Sequence, residues 1–179
     1  MQNDKKWVCV EIPLQVTDIR VWAALTDTKL TQRYMYNCQL HSSWEVGSDA
    51  IWKEEKSDGT FTIHVRAKVL EFTPHTKLRF LIFHENKEFG AFESELKFTI
   101  LKQTSGVVLK IEQGDFSKLP NAIQSYDDCL TGWNYVTKDL ITTIEEFTYN
   151  KLAPQTLKST LTLTLTSTLC FIFFLPFRY

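Results

Sequence analysis

The sequence contains little glycine and little proline, with six and five among its 179 residues. No glycine-rich phosphate-binding loop is present in it. The four histidines show neither an HxH nor an HExxH spacing, so no metal site is predicted. No GxSxG, DxD or Ser-His-Asp arrangement can be argued either. The sequence therefore does not indicate a dedicated enzyme, and we predict no cofactor and no bound metal.

An excess of charge of one sign is also missing, since 20 lysines and arginines stand against 21 aspartates and glutamates. No basic run is interleaved with aromatic residues, which argues against nucleic-acid binding. The N-terminus has charge but no apolar stretch of the signal-peptide type. The cysteines are far apart and form no CxxC pair: Cys9, Cys38, Cys129 and Cys170. We predict reduced, mostly buried thiols and a cytoplasmic protein.

Aromatic residues are abundant, with 13 Phe, 6 Tyr and 5 Trp, enough for a large core or a hydrophobic pocket. The most organised stretch, Lys118 to Tyr149, predicts one long amphipathic helix. Ser117 is a candidate cap, and Pro120 fits the first helical turn. Apolar positions recur there at spacings of three and four, at Ile123, Tyr126, Leu130, Trp133, Thr137, Leu140, Ile144 and Phe147.

Strand patterns fill most of the chain before this helix. Trp7 to Ile12 predicts a first strand, and two short helical segments follow it as far as Met35. From Asn37 onward apolar and polar residues alternate, with a hairpin turn at Asp58-Gly59. The clearest alternation places one set of side chains on the same face, namely Phe61, Ile63, Val65, Ala67 and Val69. Short loops between strands indicate antiparallel pairing.

These elements predict an α+β fold. A curved antiparallel sheet of about six or seven strands wraps around the long C-terminal helix, and two short helices follow strand 1. We assign this helix-grip domain to residues 7–149. Residues 150–179 form an apolar tail rich in Leu, Thr and Phe, with no charge from Ser159 to Phe177. Three interpretations of the tail remain: a marginal membrane anchor, which is not favoured, an added strand or groove-covering segment, and a non-native extension.

The sequence resembles the START-like superfamily, also called SRPBCC or birch-pollen-allergen-like. Within it, the sequence is most similar to homologues of the activator of heat-shock-protein-90 ATPase. The resemblance spans roughly residues 7 to 148. It rests on VWAALTD at Val21–Asp27, then on Tyr34, Gly47, VLEFTPHTKLRF at Val69–Phe80, Gly132-Trp133 and Leu140. The resemblance implies a helix-grip fold, but fold alone does not imply function.

A long helix laid across a curved sheet often leaves a cavity, which is the usual form of a small-molecule site. The alternative is that bulky side chains fill the space. His84 shares its parity with Phe80 and Ile82, so it could face inward and, with Asp127, form an acid–base pair. The predicted lining residues are Trp44, Trp52, Ile63, Val65, Phe80, Ile82, His84, Phe92, Leu96, Leu109, Tyr126, Leu130 and Trp133.

The leading functional hypothesis is a binding module that holds a small hydrophobic or amphipathic ligand between the sheet and the long helix. The resemblance implies a second hypothesis, a co-chaperone-like domain that docks on heat-shock-protein-90 and stimulates its ATPase. A third hypothesis is a cyclase-type enzyme that uses the same cavity. An exposed apolar patch outside the cavity would favour the interaction hypothesis. The sequence does not identify the ligand or an oligomeric state.

Overall fold

The computed structural model describes residues 6–86, 90–119 and 121–147. Its elements follow in the order β1 (Val8–Leu14), α1 (Asp18–Thr26), α2 (Thr28–Tyr34), β2 (Cys38–Ser42), β3 (Asp49–Glu55), β4 (Phe61–Thr73), β5 (Lys77–Asn86), β6 (Gly90–Lys102), β7 (Val107–Gly114), a 3-10 turn (Phe116–Lys118) and α3 (Ala122–Glu146). The strands form one sheet in the order β1-β7-β6-β5-β4-β3-β2. Every neighbouring pair is antiparallel, and the sheet curls into a half-barrel around α3. The predicted α+β helix-grip fold is confirmed.

Side-chain hydrogen bonds and a glycine stabilise the turn between β3 and β4. In the β3–β4 turn, Asp58 Oδ1 accepts hydrogen bonds from the Thr60 backbone N–H at 2.9 Å and from the Thr60 hydroxyl at 2.6 Å. Gly59 adopts a φ of +80°, which a residue without a Cβ takes at little cost. The predicted Asp-Gly turn is therefore present, and it returns the chain antiparallel to β3.

The register of the hairpins gives the sheet two distinct ends. The β3–β4 turn, the β5–β6 turn and the connection from β7 to α3 all lie at one end, which we call the loop end. β1 leaves the sheet at the opposite end, where α1 begins.

Antiparallel pairing aligns the concave side chains in rows across the strands. One row toward the loop end contains Leu40, Trp52, Val65, His84 and Phe92, the next row away from that end contains Ser42, Ala50, Ala67, Ile82 and Ser94, and the third contains Val69, Phe80, Leu96, Gln113 and Val8. Four of the five side chains in the second row are small. The Trp52 ring reaches across this row to the Phe80 ring, with centroids 5.2 Å apart, and so fills its β3–β4 part.

Helix α3 begins later than predicted, at Ala122, and the residues before it form the 3-10 turn. Pro120 and residues 148–149 lie outside the described part of the chain. The predicted apolar stripe is wrong at its start, because Ile123 is 66% exposed. The face that α3 turns to the sheet instead carries Ser125, Cys129, Gly132, Trp133, Val136, Leu140, Thr143 and Ile144. The small residues of this face lie toward the N-terminus and the large aliphatic ones toward the C-terminus.

The C-terminal half of α3 is anchored to the two short helices. The Arg20 guanidinium donates to the backbone carbonyl of Glu145, and Arg33 forms an ion pair with Glu146. Leu140 and Ile144 are fully buried beneath these contacts. Complete burial of two such side chains contributes on the order of 3 to 6 kcal/mol. This half of the helix is therefore a fixed part of the core.

A β-bulge in β4 reverses the predicted alternation near the loop end. Trp52 pairs with Val65, but the next residue of β3, Lys53, pairs with Ile63, which leaves His64 as an extra residue. Beyond the bulge the faces exchange, so Ile63 is 39% exposed on the outer face. The predicted inward orientation of Ile63 is wrong, and that of Phe61, which lies under Lys53 on the same outer face, is wrong as well.

Within the described residues, no helix combines the length and the apolar character that a membrane span needs. The tail at residues 150–179 lies outside the described residues, as does Cys170. The three interpretations of the tail and the boundary at residue 149 stay predictions.

Candidate functional site

Most of the predicted lining residues lie on the concave face or on the facing side of α3. Trp52, Val65, Phe80, Ile82, His84, Leu96, Leu109 and Trp133 are buried, and Phe92, Tyr126 and Leu130 are partly buried. Leu109 pairs with Ile12 and Ile100, in a row toward the α1 end and away from His84. Whether these side chains bind a ligand stays a prediction.

Trp44 does not lie with the other predicted lining residues. It lies in the β2–β3 connection with a φ of +63°, and its ring stacks on Phe72, with centroids 5.3 Å apart. Phe72 in turn makes an edge contact with Trp22 of α1 at 5.2 Å. Phe72 follows Val65 on β4 by seven residues, which corresponds to roughly 20 Å along a strand. The predicted place of Trp44 in the cavity lining is therefore wrong, since it belongs to an aromatic cluster at the α1 end.

His84 is the polar centre of the loop end. It is 4% exposed, and its Nε2 lies 2.7 Å from the Ser94 hydroxyl oxygen. Because His84 and Phe92 are directly paired in the β5–β6 hairpin, their rings stack with centroids 4.4 Å apart and planes only 7° apart. The Phe92 ring and the Ser94 hydroxyl thus fix the orientation of the imidazole. The inward placement that the alternation of β5 predicts for His84 is observed.

A cleft of about 610 Å³ opens beside His84. It arises because the last β6–β7 pair is Glu95 with Gly114, whereas the β5–β6 hairpin continues past this point. The hairpin and the connection after β7 therefore leave a notch between them. The cleft is lined by Trp7, Leu81, Phe83, His84, Glu85, Ala91, Phe92, Glu93, Ser94, Glu95, Gly114, Asp115, Lys118 and Leu119. Its volume falls within the range of about 300 to 1,000 Å³ that is typical of ligand pockets.

Helix α3 contributes a second polar group to the concave side. Ser125 is 4% exposed, and its hydroxyl oxygen has no hydrogen-bond partner among the described residues. A buried hydroxyl without a partner costs about 1 to 3 kcal/mol. Ser125 precedes Trp133 by about two turns, roughly 12 Å along the axis. This places it toward the loop end, the end where His84 and Ser94 lie.

Further along α3, Trp133 is hydrogen-bonded to the sheet. Trp133 Nε1 donates to the buried Gln113 amide oxygen at 2.8 Å, and its ring makes an edge contact with Phe98 at 5.9 Å. Burial raises the pKa of the Cys129 thiol, which lies one turn before Trp133. A thiol in that state is a weak nucleophile at neutral pH. Covalent chemistry at Cys129 is therefore disfavoured.

A third polar pair lies at the β3–β4 side of the concave face. His64 Nε2 is 3.1 Å from Glu54 Oε2, and the two side chains are only 7% and 15% exposed. The alternation of β4 predicts His64 among the outward residues, and it gives no sign of this pair. The bulge turns His64 inward. No residue type near it in the sequence indicates a bulge.

Comparisons with known proteins identify the family to which this chain belongs. A family model described as Activator of Hsp90 ATPase homolog 1-like protein matches residues 15–145. The chain belongs to this family. The matched range runs from just after β1 almost to the end of α3, so it includes every lining residue of the cleft beside His84 except Trp7. A comparison with curated proteins finds no match.

Solved structures share the fold of this Activator of Hsp90 ATPase homolog 1-like domain. Protein MLL2253 from Mesorhizobium loti is 20% identical, with a TM-score of 0.64 over 78% of this chain and 97% of that one. CalU16 from Micromonospora echinospora is 17% identical, with a TM-score of 0.59 over 78% and 76%. DynU16, described as a protein in the dynemicin biosynthetic locus, is 18% identical, with a TM-score of 0.59 over 79% and 48%. Sequence identities this low show a shared fold and carry no statement about function.

Proposed function

We propose that this domain binds a small hydrophobic or amphipathic molecule between the concave sheet and the N-terminal half of α3. The ligand enters through the cleft beside His84. The observation that carries the proposal is Ser125, a buried hydroxyl on the sheet-facing side of the helix that has no hydrogen-bond partner in the described part of the chain. A ligand that accepts or donates a hydrogen bond there would offset the cost of burying that hydroxyl.

The distribution of side-chain size along α3 supports the same proposal. Toward the loop end its sheet-facing positions are Ser125, Cys129 and Gly132, whereas toward the C-terminus they are Val136, Leu140 and Ile144. Small side chains occupy less volume over the sheet than these aliphatic ones, although Trp133 is buried between the two groups. The cleft beside His84 and Ser94 opens at the loop end, before the first residue of α3. Apolar walls with a few placed polar groups are the usual composition of a small-molecule site.

Replacement of Ser125 by leucine is expected to fill this space without loss of stability. If the proposed ligand space lies beneath Ser125, it accepts a larger side chain, and Ser125→Leu changes the free energy of unfolding by less than about 1 kcal/mol. Thr143 is the matched control, since it lies five turns further along α3 on the same buried face. There, Thr143→Leu is expected to cost about 1 to 3 kcal/mol through overpacking. Urea unfolding measures both, and equal losses would contradict a ligand-sized space beneath Ser125.

Native mass spectrometry of the full chain, purified without detergent, tests binding directly. We expect extra mass from a co-purified small molecule on the unmodified protein and its loss on Ser125→Leu. The variant also separates the cavity from the tail, because a molecule held by residues 150–179 would remain bound to it. Extra mass that is the same on both proteins would therefore contradict the proposed site.

Docking on a chaperone is the alternative proposal. Its support is the family description together with an apolar group on the outer face of the sheet, where Phe61, Ile63 and Phe83 are all exposed. Exposed apolar clusters often mark interaction surfaces. If this role holds, the protein accelerates ATP hydrolysis by heat-shock-protein-90, and Ile63→Ser abolishes the effect without unfolding the domain. An ATPase rate that does not respond to the unmodified protein would reject the alternative.

A further inference from the structure

Strand β6 extends further toward the loop end than β7 does, and this leaves part of its edge without a neighbouring strand. The β5–β6 ladder continues to Gly90, whereas the last pair between β6 and β7 is Glu95 with Gly114. On the β7 side, no strand in the described part of the chain pairs with residues 91–94. We call this stretch the β6 edge. Its alternate residues direct backbone N–H and C=O groups into the cleft beside His84.

The chain that follows β7 does not cover the β6 edge. The Phe116 backbone N–H donates to the Lys6 carbonyl at 2.8 Å, so the chain follows the segment before β1 and leaves β6. The cleft is the resulting notch, and Trp7, Phe92 and Leu119 give it apolar walls. An extended segment would find both backbone groups and apolar contacts there, which is the arrangement that binds an added β-strand.

An added strand at this edge has two different sides. Because side chains alternate along a strand, one set points to the concave side with Phe92 and Leu119, and the other set points to the outer face. The outer side carries Glu93, an exposed carboxylate directly opposite Phe83 of β5. A complementary segment therefore alternates apolar side chains with polar ones that carry no negative charge.

The tail contains a segment of this composition. From residue 160 to residue 166 it reads Thr-Leu-Thr-Leu-Thr-Leu-Thr, with leucine and threonine in strict alternation and no charge. Such alternation is typical of a strand with one buried side, and threonine is favoured in strands. Left in water, the apolar side of this segment would favour aggregation, so it needs a surface that covers it.

The tail is also long enough to reach the β6 edge. Helix α3 has 25 residues, which corresponds to about 37 Å, and its C-terminal end is anchored to the two short helices by Arg20 and Arg33. Residues 148–160 span up to roughly 43 Å when extended. The Leu-Thr segment can therefore begin near the loop end, where the cleft opens.

We propose that residues 160–166 add to the β6 edge as a further strand, with Leu161, Leu163 and Leu165 toward the concave side and the threonines toward the outer face. The backbone groups of the β6 edge then gain partners, and the leucines are buried against the apolar walls of the cleft. This inference does not rest on the proposed function, which concerns the space beneath α3. The added strand would cover the entrance to that space, so uptake of the proposed ligand would require the strand to leave.

Hydrogen exchange of the backbone amides in the full chain, read by mass spectrometry, tests the inference. We expect the cleft-facing amides of the β6 edge to be protected. The double variant Leu163→Lys, Leu165→Lys should accelerate their exchange about tenfold or more, because two lysines cannot be buried against the apolar walls. Amides of the central β4–β5 pair Ala67 and Ile82 should not respond, which separates release of the strand from a general loss of stability.

A second double variant, Thr162→Lys with Thr164→Lys, is the matched control. It adds the same charge to the same segment, but on the side that faces outward beside Glu93. It should change the exchange at the β6 edge by less than about twofold.

The other outcomes overturn the proposal. Fast exchange at the β6 edge in the unmodified protein does so, as does protection that both lysine pairs leave unchanged or reduce equally. Protection that rises with protein concentration would assign the edge to a second copy of the chain. None of these results touches the proposed function, because binding beneath α3 is measured separately, by the extra mass that Ser125→Leu removes.

Discussion

Replacement of Gly106 by alanine is expected to lower the free energy of unfolding by about 3 kcal/mol or more, one of the larger losses that a single methyl group can cause. Gly106 lies in the β6–β7 turn with a φ of +84°, and a Cβ there would lie 2.0 Å from the Leu14 carbonyl oxygen and 3.0 Å from the Gln15 Cα. Both neighbours are backbone atoms at the end of β1, so a rotamer change cannot relieve the overlap. The turn or the edge strand must move instead.

Gly59 provides the control for this prediction. Its φ of +80° is nearly the same, but a Cβ at this position would meet no atom within 4 Å. Gly59→Ala therefore carries the cost of the left-handed backbone alone, about 1 to 2 kcal/mol. Denaturant unfolding of the two variants separates the steric term from the backbone term. Equal destabilisation would show that the contact between the β6–β7 turn and β1 relaxes freely.

Replacement of Trp133 by phenylalanine is expected to destabilise the domain by about 1 to 3 kcal/mol, because the buried hydrogen-bond acceptor of the indole N–H loses its donor. The Trp133 indole N–H donates to Gln113, which is 2% exposed, so the variant strands a buried amide oxygen. The smaller ring also loses contacts with the sheet. Full truncation to alanine should cost more, about 3 to 5 kcal/mol.

A double-mutant cycle isolates the hydrogen bond. Gln113→Leu in the Trp133→Phe background removes the stranded polar group, so the double variant should be more stable than the sum of the single losses predicts. Strictly additive losses would show that the bond between Trp133 and Gln113 contributes nothing beyond packing. Thermal or urea unfolding of the four proteins gives the coupling energy.

Sequence patterns give the architecture of this protein well, because its long hairpins alternate cleanly and its helical segments have the right period. The α+β helix-grip fold, the two helices after β1 and the inward placement of His84 can all be read from the residues. Two features of the site cannot. The bulge at His64 depends on how β4 pairs with β3, and pairing across strands is not encoded in the alternation of either strand alone.

The second feature is the N-terminal half of α3. A search for apolar spacing selects Ile123 because it is large and aliphatic, but the helix turns Ser125, Cys129 and Gly132 toward the sheet. Small and polar residues give no hydrophobic signal, so a buried helix face made of them resembles a solvent face in the sequence. The misplaced Trp44 has another cause, because a φ of +63° in a connection turns the side chain away from the strand pattern.

The contrast between the two halves of α3 has an evolutionary consequence. Aliphatic burial is concentrated in the half that Leu140 and Ile144 anchor against α1 and α2, whereas the large buried side chain of the other half is Trp133. Substitutions at the small positions that precede Trp133, Ser125 and Cys129, can therefore accumulate without removal of a large buried side chain. A scaffold divided in this way can change the chemistry of its loop end at a few side chains, while the residues that keep it folded stay as they are.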